Sequence, residues 1–211
     1  MTQLFRISSR PAIQIVKTLG KHKSKLGGYP NLPRSVKWPV NPEGRQLDFL
    51  AQFHCPDLPK GFGLPEEGML FFFYDFERMS FGDSYNEREN EYWRVVYSPE
   101  EFTETTRRQR LQRDATISNE CFVRFTTFMS QKDKWPDTNL PLHQMFGYPT
   151  WVQGGGLSRG ESLLLQLDSD DGDRRSPGWM WGDVGLVYFT INNKDLAERN
   201  FANVKLELQC H

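Results

Sequence analysis

Cysteine and histidine are the side chains from which a nucleophile or a metal site is most simply built, and this chain of 211 residues has three of the first and four of the second. His54-Cys55 and Cys210-His211 together would offer four soft ligands. Neighbouring residues on a strand point to opposite faces, so neither pair closes on one ion as a C-x-x-C knuckle does, and no metal site is expected. A thiolate nucleophile would need Cys55 or Cys121 beside His143. No local motif supports that pairing, and a buried cysteine acting as a small apolar residue is the expected state. Three scattered cysteines suit free thiols in a reducing compartment rather than a disulfide framework.

Three further stretches imitate binding motifs. Asp168-Ser169-Asp170-Asp171-Gly172-Asp173 has the carboxylates of a calcium loop, but its glycine falls one position early and Trp179 stands where the bidentate glutamate belongs. It reads as a solvated turn, with Asp168 at a strand end where a site could use it. Gln153-Gly154-Gly155-Gly156 has the glycines of a phosphate cradle without Gly-Lys-Ser/Thr, and reads as a turn. The basic run Arg107 to Arg113 reads as the solvated close of a short helix, complementing its dipole.

Gln52 and Gln166 each end an apolar strand. A buried amide must be hydrogen-bonded or it costs stability, so two of them imply polar partners, water or a ligand. Trp181 and Asp183 add an aromatic wall beside a carboxylate. With Lys25, Tyr29, Trp38, Tyr148 and Asp168 they form a candidate groove between two halves of the molecule. The same residues would serve equally as a structural network fixing strand register, and both readings stand.

The elements that must position these residues are mostly strands. Apolar runs around Ile15, Leu50, Phe72, Val95, Phe125, Leu165 and Val187 are short and bounded by Gly, Pro, Asn or Asp, and Val204 to Cys210 alternates as a half-buried closing strand. Ser98-Pro99-Glu100-Glu101 predicts a helix start, and a second short helix is expected over Lys194 to Arg199. Gly-Tyr-Pro, an apolar strand ending in glutamine, and a glycine-led apolar strand recur in the same order in both halves. An internal duplication is therefore expected, with halves of about 1–130 and 131–211 packed as one domain over 1–211. The class expected is α+β, dominated by strands.

Lysine plus arginine numbers 26 and aspartate plus glutamate 27, a net charge of −1 that gives no field for holding nucleic acid. The longest unbroken apolar run, Met69 to Tyr74, falls far short of the ~18 residues that span a bilayer, and no secretory leader is seen, so the expected location is the cytoplasm.

The motifs also resemble a family. Ser24-Lys25-Leu26-Gly27-Gly28-Tyr29-Pro30-Asn31-Leu32-Pro33, Trp38-Pro39, Phe49-Leu50-Ala51-Gln52, Leu163 to Asp170, Trp181-Gly182-Asp183-Val184-Gly185 and the segment from Asp195-Leu196 to Phe201 together resemble the YwqG-like family, a bacterial domain family of unknown function. The resemblance implies an α+β fold and transfers no catalytic residue. Relatives beside polymorphic toxin genes imply an immunity or antitoxin role for part of the family. Where the second half usually has Gly-Gly-Tyr-Pro, this chain has Phe146-Gly147-Tyr148-Pro149, so Phe146 is expected to alter a groove there.

The leading expectation is a non-enzymatic binding protein, without a cofactor, that neutralises a protein partner such as a cognate toxin. Its docking surface is expected in the segment from Asp75 to Trp93, where Tyr85, Glu87, Glu89, Glu91 and Tyr92 combine aromatic anchors with acidic charge. The alternative is a small-ligand-binding or hydrolytic domain using the groove. A pure scaffold is the third.

Overall fold

The computed structural model of the chain describes residues 8–78, 91–100, 118–135, 141–172 and 175–211. Its strands are β1 (Ser9–Lys17), β2 (Lys25–Leu26), β3 (Asp48–His54), β4 (Met69–Tyr74), β5 (Trp93–Ser98), β6 (Cys121–Gln131), β7 (Gln144–Phe146), β8 (Glu161–Asp168), β9 (Leu186–Asn192) and β10 (Lys205–Gln209). They form one sheet in the order β10-β9-β8-β7-β1-β6-β2-β3-β4-β5, and every pairing is antiparallel. The strands expected around Ile15, Leu50, Phe72, Val95, Phe125, Leu165 and Val187 are present. β2 and β7, two and three residues long, carry too few side chains for a periodic signal.

Two expectations are corrected. The protein is mostly β rather than α+β: helix α1 (Asn193–Ala197), capped by the Asn192 side chain accepting the Lys194 N–H, is the one α-helix among the described residues. The helix expected after Ser98 begins with the Glu100 N–H donating to Ser98 Oγ at 3.3 Å, and its continuation, with the basic run, lies outside the described residues. The second correction concerns the halves. β1 pairs with β6 from Ser9↔Gln131 to Lys17↔Val123 and, on its other edge, with β7. The centre of the sheet thus joins the first strand of the chain to two strands from its middle, rather than being split at a seam. The architecture is one continuous sheet, and it does not show the internal duplication that the recurring signals suggested.

The sheet folds over a single core. β4 and β9 are far apart in strand order, yet the Phe72 and Phe189 rings meet edge to face at 5.4 Å. Trp93 Nε1 donates to the Val204 carbonyl at 2.8 Å, closing the other side. Leu70, Phe72 and Tyr74 of β4 and Val187, Phe189 and Ile191 of β9 face this core, while Met69, Phe71 and Phe73, and Leu186 and Tyr188, face the opposite side. Loop residues Leu32 and Trp38 cover the first outer face, and Trp151, Val152 and Leu157 the second. Strands buried on both faces explain apolar runs without alternation.

Bulges decide where the polar residues fall. The β3/β4 register shifts between Phe49 and Ala51, and the β8/β9 register between Leu163 and Leu165. In consequence Leu50 and Ala51 both face the central core, as do Leu164 and Leu165. Alternation then resumes, which turns Gln52 and Gln166 away from that core and under the loops that precede β3 and β8.

Candidate functional site

The two glutamines are fully engaged. Gln52 Oε1 accepts the Asn31 N–H at 2.8 Å, and its Nε2 donates to the Lys23 carbonyl at 2.7 Å and to Asn31 Oδ1 at 3.0 Å. Gln166 Oε1 accepts the Thr150 N–H at 2.9 Å, and its Nε2 donates to the Leu142 carbonyl at 2.9 Å. Each amide thereby ties to its strand the segments on either side of a short neighbouring strand, β2 for Gln52 and β7 for Gln166. The oxygen and the amino group of each amide thus have partners within the fold.

Beside Gln166 lies a buried charge cluster. Lys17 Nζ donates to both Asp170 oxygens, at 2.8 and 2.7 Å, and to Ser176 Oγ at 3.1 Å. His143 Nε2 stands 3.1 Å from Asp170 Oδ2, while its Nδ1 accepts the Asp168 backbone N–H. That N–H fixes the tautomer: the ring proton sits on Nε2 and is given to Asp170. Burial opposes ionisation of Asp170, but hydrogen bonds from His143, Lys17 and Ser176 outweigh it and hold the carboxyl down at about 2. Asp168 shifts the other way, pushed up by burial against the Leu142 N–H that its Oδ2 accepts at 2.8 Å. Trp179 packs edge-on against His143, and Trp181 donates from Nε1 to the Asp168 carbonyl. Both ring nitrogens of His143 are committed, so this cluster has the form of a structural ion pair rather than an acid–base device.

One open part of the molecule is the corner after β7. Phe146 and Gly147 take left-handed φ values of 59° and 73°. Glycine at 147 is obligatory, because a Cβ there would lie 2.3 Å from Ser130 Oγ and 2.7 Å from Ala12 Cβ. Phe146 does not shape a groove; its ring is buried in the core, 5.1 Å from that of Phe62. The turn instead delivers Tyr148, whose N–H donates to Ser130 Oγ and whose hydroxyl meets Ser8 Oγ at 2.5 Å. Two cavities share this tyrosine. One, of about 270 Å³, is lined by Met129, Lys134, Trp135 and Thr150; the other, of about 420 Å³, by Arg10, Lys132, Asp133, Trp151, Gly155 and Gly156.

The remaining candidates separate. Lys25, register partner of Gln52, gives its ammonium to Glu120 at 2.5 Å. Trp38 is buried, donating from Nε1 to the Leu47 carbonyl, and Tyr29 is half-buried in the turn after β2. Asp183 is exposed, with its carbonyl accepting the His211 N–H. Gln166, Asp168 and Trp181 lie together, and Lys25 lies with Gln52. Of the proposed docking residues, Tyr85, Glu87 and Glu89 lie outside the described residues; Glu91 is half-buried, and Tyr92 is buried with its hydroxyl donating to Glu43. No cysteine pairs with His143: Cys121 Sγ donates to the Arg175 carbonyl, and burial pushes the Cys55 thiol up to about 12. Among the described residues no three His, Cys, Asp or Glu side chains gather as a metal site would require.

Sequence reasoning missed the Lys17–Asp170 pair and the residues around Tyr148 other than Tyr148 itself. Lys17 and Asp170 lie 153 residues apart, and no local pattern links them. The glycine run at 154–156 was the one available pointer to the larger cavity.

A mostly-β protein built on one sheet, with a closed polar interior and an aromatic, cationic corner, is the class these features define. A family model described as a domain of unknown function (DUF1963) matches residues 24–210, and the chain belongs to that family. Among curated proteins none matches it. No helix among the described residues is long and apolar enough to cross a membrane.

Proposed function

We propose that the protein acts by binding a protein partner rather than by turning over a substrate, and that it is an immunity-type member of the YwqG-like group that neutralises a cognate toxin in the cytoplasm. The observation that carries the reading is the surface at the smaller cavity. Met129 and Trp135 are 57% and 46% exposed, and they adjoin Tyr148 and Lys134. Methionine and large aromatics in one patch beside a cation are the composition of an interface anchor. The internal ties of Gln52, Gln166, His143 and Asp170 support the same reading, since they account for these polar groups as parts of the fold. The resemblance stated above supplies the choice of toxin as partner.

Co-expression with the toxin encoded beside this gene tests it. Wild-type protein is expected to co-purify with that toxin and to restore growth, and Trp135→Ala with Met129→Ala is expected to weaken the complex at least about tenfold without unfolding the protein. Absence of both complex and protection, or a complex indifferent to the double substitution, would refute it.

A further inference from the structure

The larger cavity beside Tyr148 has a different chemistry from the docking patch, with which it shares only that tyrosine. At about 420 Å³ it falls in the size range of small-molecule sites. Two cations and one acid line it: Arg10, Lys132 and Asp133, the last 4.0 Å from Lys132 Nζ. The guanidinium of Arg10 lies over the Tyr148 ring, 4.4 Å from its centroid. Stacking occupies the face of a guanidinium and leaves the donors in its plane available, the arrangement in which arginine grips a carboxylate or phosphate with two parallel bonds. No carboxylate among the described residues pairs with Arg10. The tyrosine beneath it is held at both ends, its hydroxyl by Ser8 and its backbone N–H by Ser130, so the cation is held ready.

The opposite wall is the glycine run. Gln209 ties this loop from behind: its Oε1 accepts the N–H groups of Val152 and Gln153, each at 3.0 Å, and its Nε2 donates to the Gly154 carbonyl. Gly155 lies against the Trp151 indole, where a Cβ would approach Cδ2 to 3.2 Å. Gly156 has nothing within 4 Å of its Cβ direction. The wall is therefore bare backbone, with Pro149, Trp151 and Leu157 giving the cavity its apolar part.

We propose that this cavity binds a small anion, a carboxylate or phosphate attached to a flat apolar body, with Arg10 and Lys132 holding the charged group and the Tyr148–Trp151 side receiving the body. The site is independent of the partner-binding reading and is tested without any partner. Calorimetric titration of the full chain at low ionic strength with phenyl phosphate should give one saturable site, with inorganic phosphate binding more weakly and added salt weakening both. Arg10→Met should lower affinity at least about tenfold, the scale of a lost charge-assisted contact. Gly156→Phe should abolish binding by filling the cavity, and because its Cβ has no atom within 4 Å the free protein should still fold, with a melting temperature close to that of wild type. Should Arg10→Met fail to fold, Gly156→Phe still decides. No saturable binding of either probe at millimolar concentration would overturn the proposal, and so would phenyl phosphate affinity that survives Gly156→Phe.

Discussion

Replacing Asp170 by asparagine should remove a specific and pH-dependent part of the stability. The carboxyl is 3% exposed and its folded value of about 2 lies below the usual 3.8. That difference corresponds to about 2 kcal/mol of preference for the ionised group in the native state. Asparagine also turns an N–H₂ toward donors, Lys17 Nζ and the His143 Nε2–H, so some hydrogen bonding is lost as well. Loss of one member of a buried ion pair commonly costs about 3–5 kcal/mol, but the Lys17 side chain is 29% exposed and can recover water. We therefore expect D170N to be about 2–3 kcal/mol less stable than wild type at pH 7. The sign of the pH dependence follows from the lowered value. The contribution is complete above the unfolded-state value near 4 and is lost as pH falls toward 2, so the gap between the two proteins should narrow by about 1 kcal/mol between pH 7 and pH 3. Urea unfolding followed by tryptophan fluorescence across that range measures it. A gap that stays constant with pH, or one below about 0.5 kcal/mol at pH 7, would show that the Lys17–Asp170–His143 contacts do not govern ionisation as described.

Three further outcomes are expected. For Asp168 the sign reverses: its value is raised by burial, so its contribution to stability falls as pH rises through the window above the unfolded value and stays unfavourable at pH 7. D168N, which keeps an oxygen for the Leu142 N–H, should thus equal or exceed wild type in urea at pH 7, with any advantage shrinking below about pH 4; a clear loss at pH 7 would contradict this. Gln166→Leu strands the Thr150 N–H and the Leu142 carbonyl in the interior and should cost about 3 kcal/mol, seen as a fall in melting temperature of roughly 6–12 °C. Native protein treated with iodoacetamide at pH 8 should be labelled at Cys210, which is partly exposed, and not at Cys55, whose thiol is buried and raised to about 12; peptide mapping that finds Cys55 modified as readily would show that its turn opens.

The sequence made visible those features whose signal is local. Runs such as Leu163 to Leu167 and Met69 to Tyr74 announce strands, because a strand buried on both faces needs nothing but consecutive apolar residues. The alternating Val204, Leu206 and Leu208 likewise announce β10. The bulges at Leu50 and Leu164 have no such signature, yet they alone decide that Gln52 and Gln166 turn from the core toward the loops. Both glutamines were therefore recognisable as buried amides while their partners, Asn31 and Thr150, were not. The class was misjudged for a related reason: helix-start residues such as Ser98-Pro99-Glu100 are local, whereas the pairing of β1 with both β6 and β7 depends on residues more than 100 positions apart.

This separation bears on where function should be sought. A polar side chain inside a two-sided sheet must find fixed partners, so it recurs in recognisable strand motifs and is consumed by the fold, as Gln52, Gln166 and Asp168 are. Arg10, Lys132, Trp135 and Gly156 sit where β1 begins, after β6 ends, and in the loop before β8, and no periodicity constrains such positions. Tyr148 belongs to both sets: its backbone is fixed by Gln144 and Ser130, and its ring is the wall between the two cavities. The Gly147-Tyr148-Pro149 turn was legible because Gly147 must pass within touching distance of Ala12 and Ser130. What that turn accomplishes became apparent only when β1 and β6 brought the cationic residues to it. The strongest motif in the second half thus serves as the mount for a surface whose other members carry no motif at all.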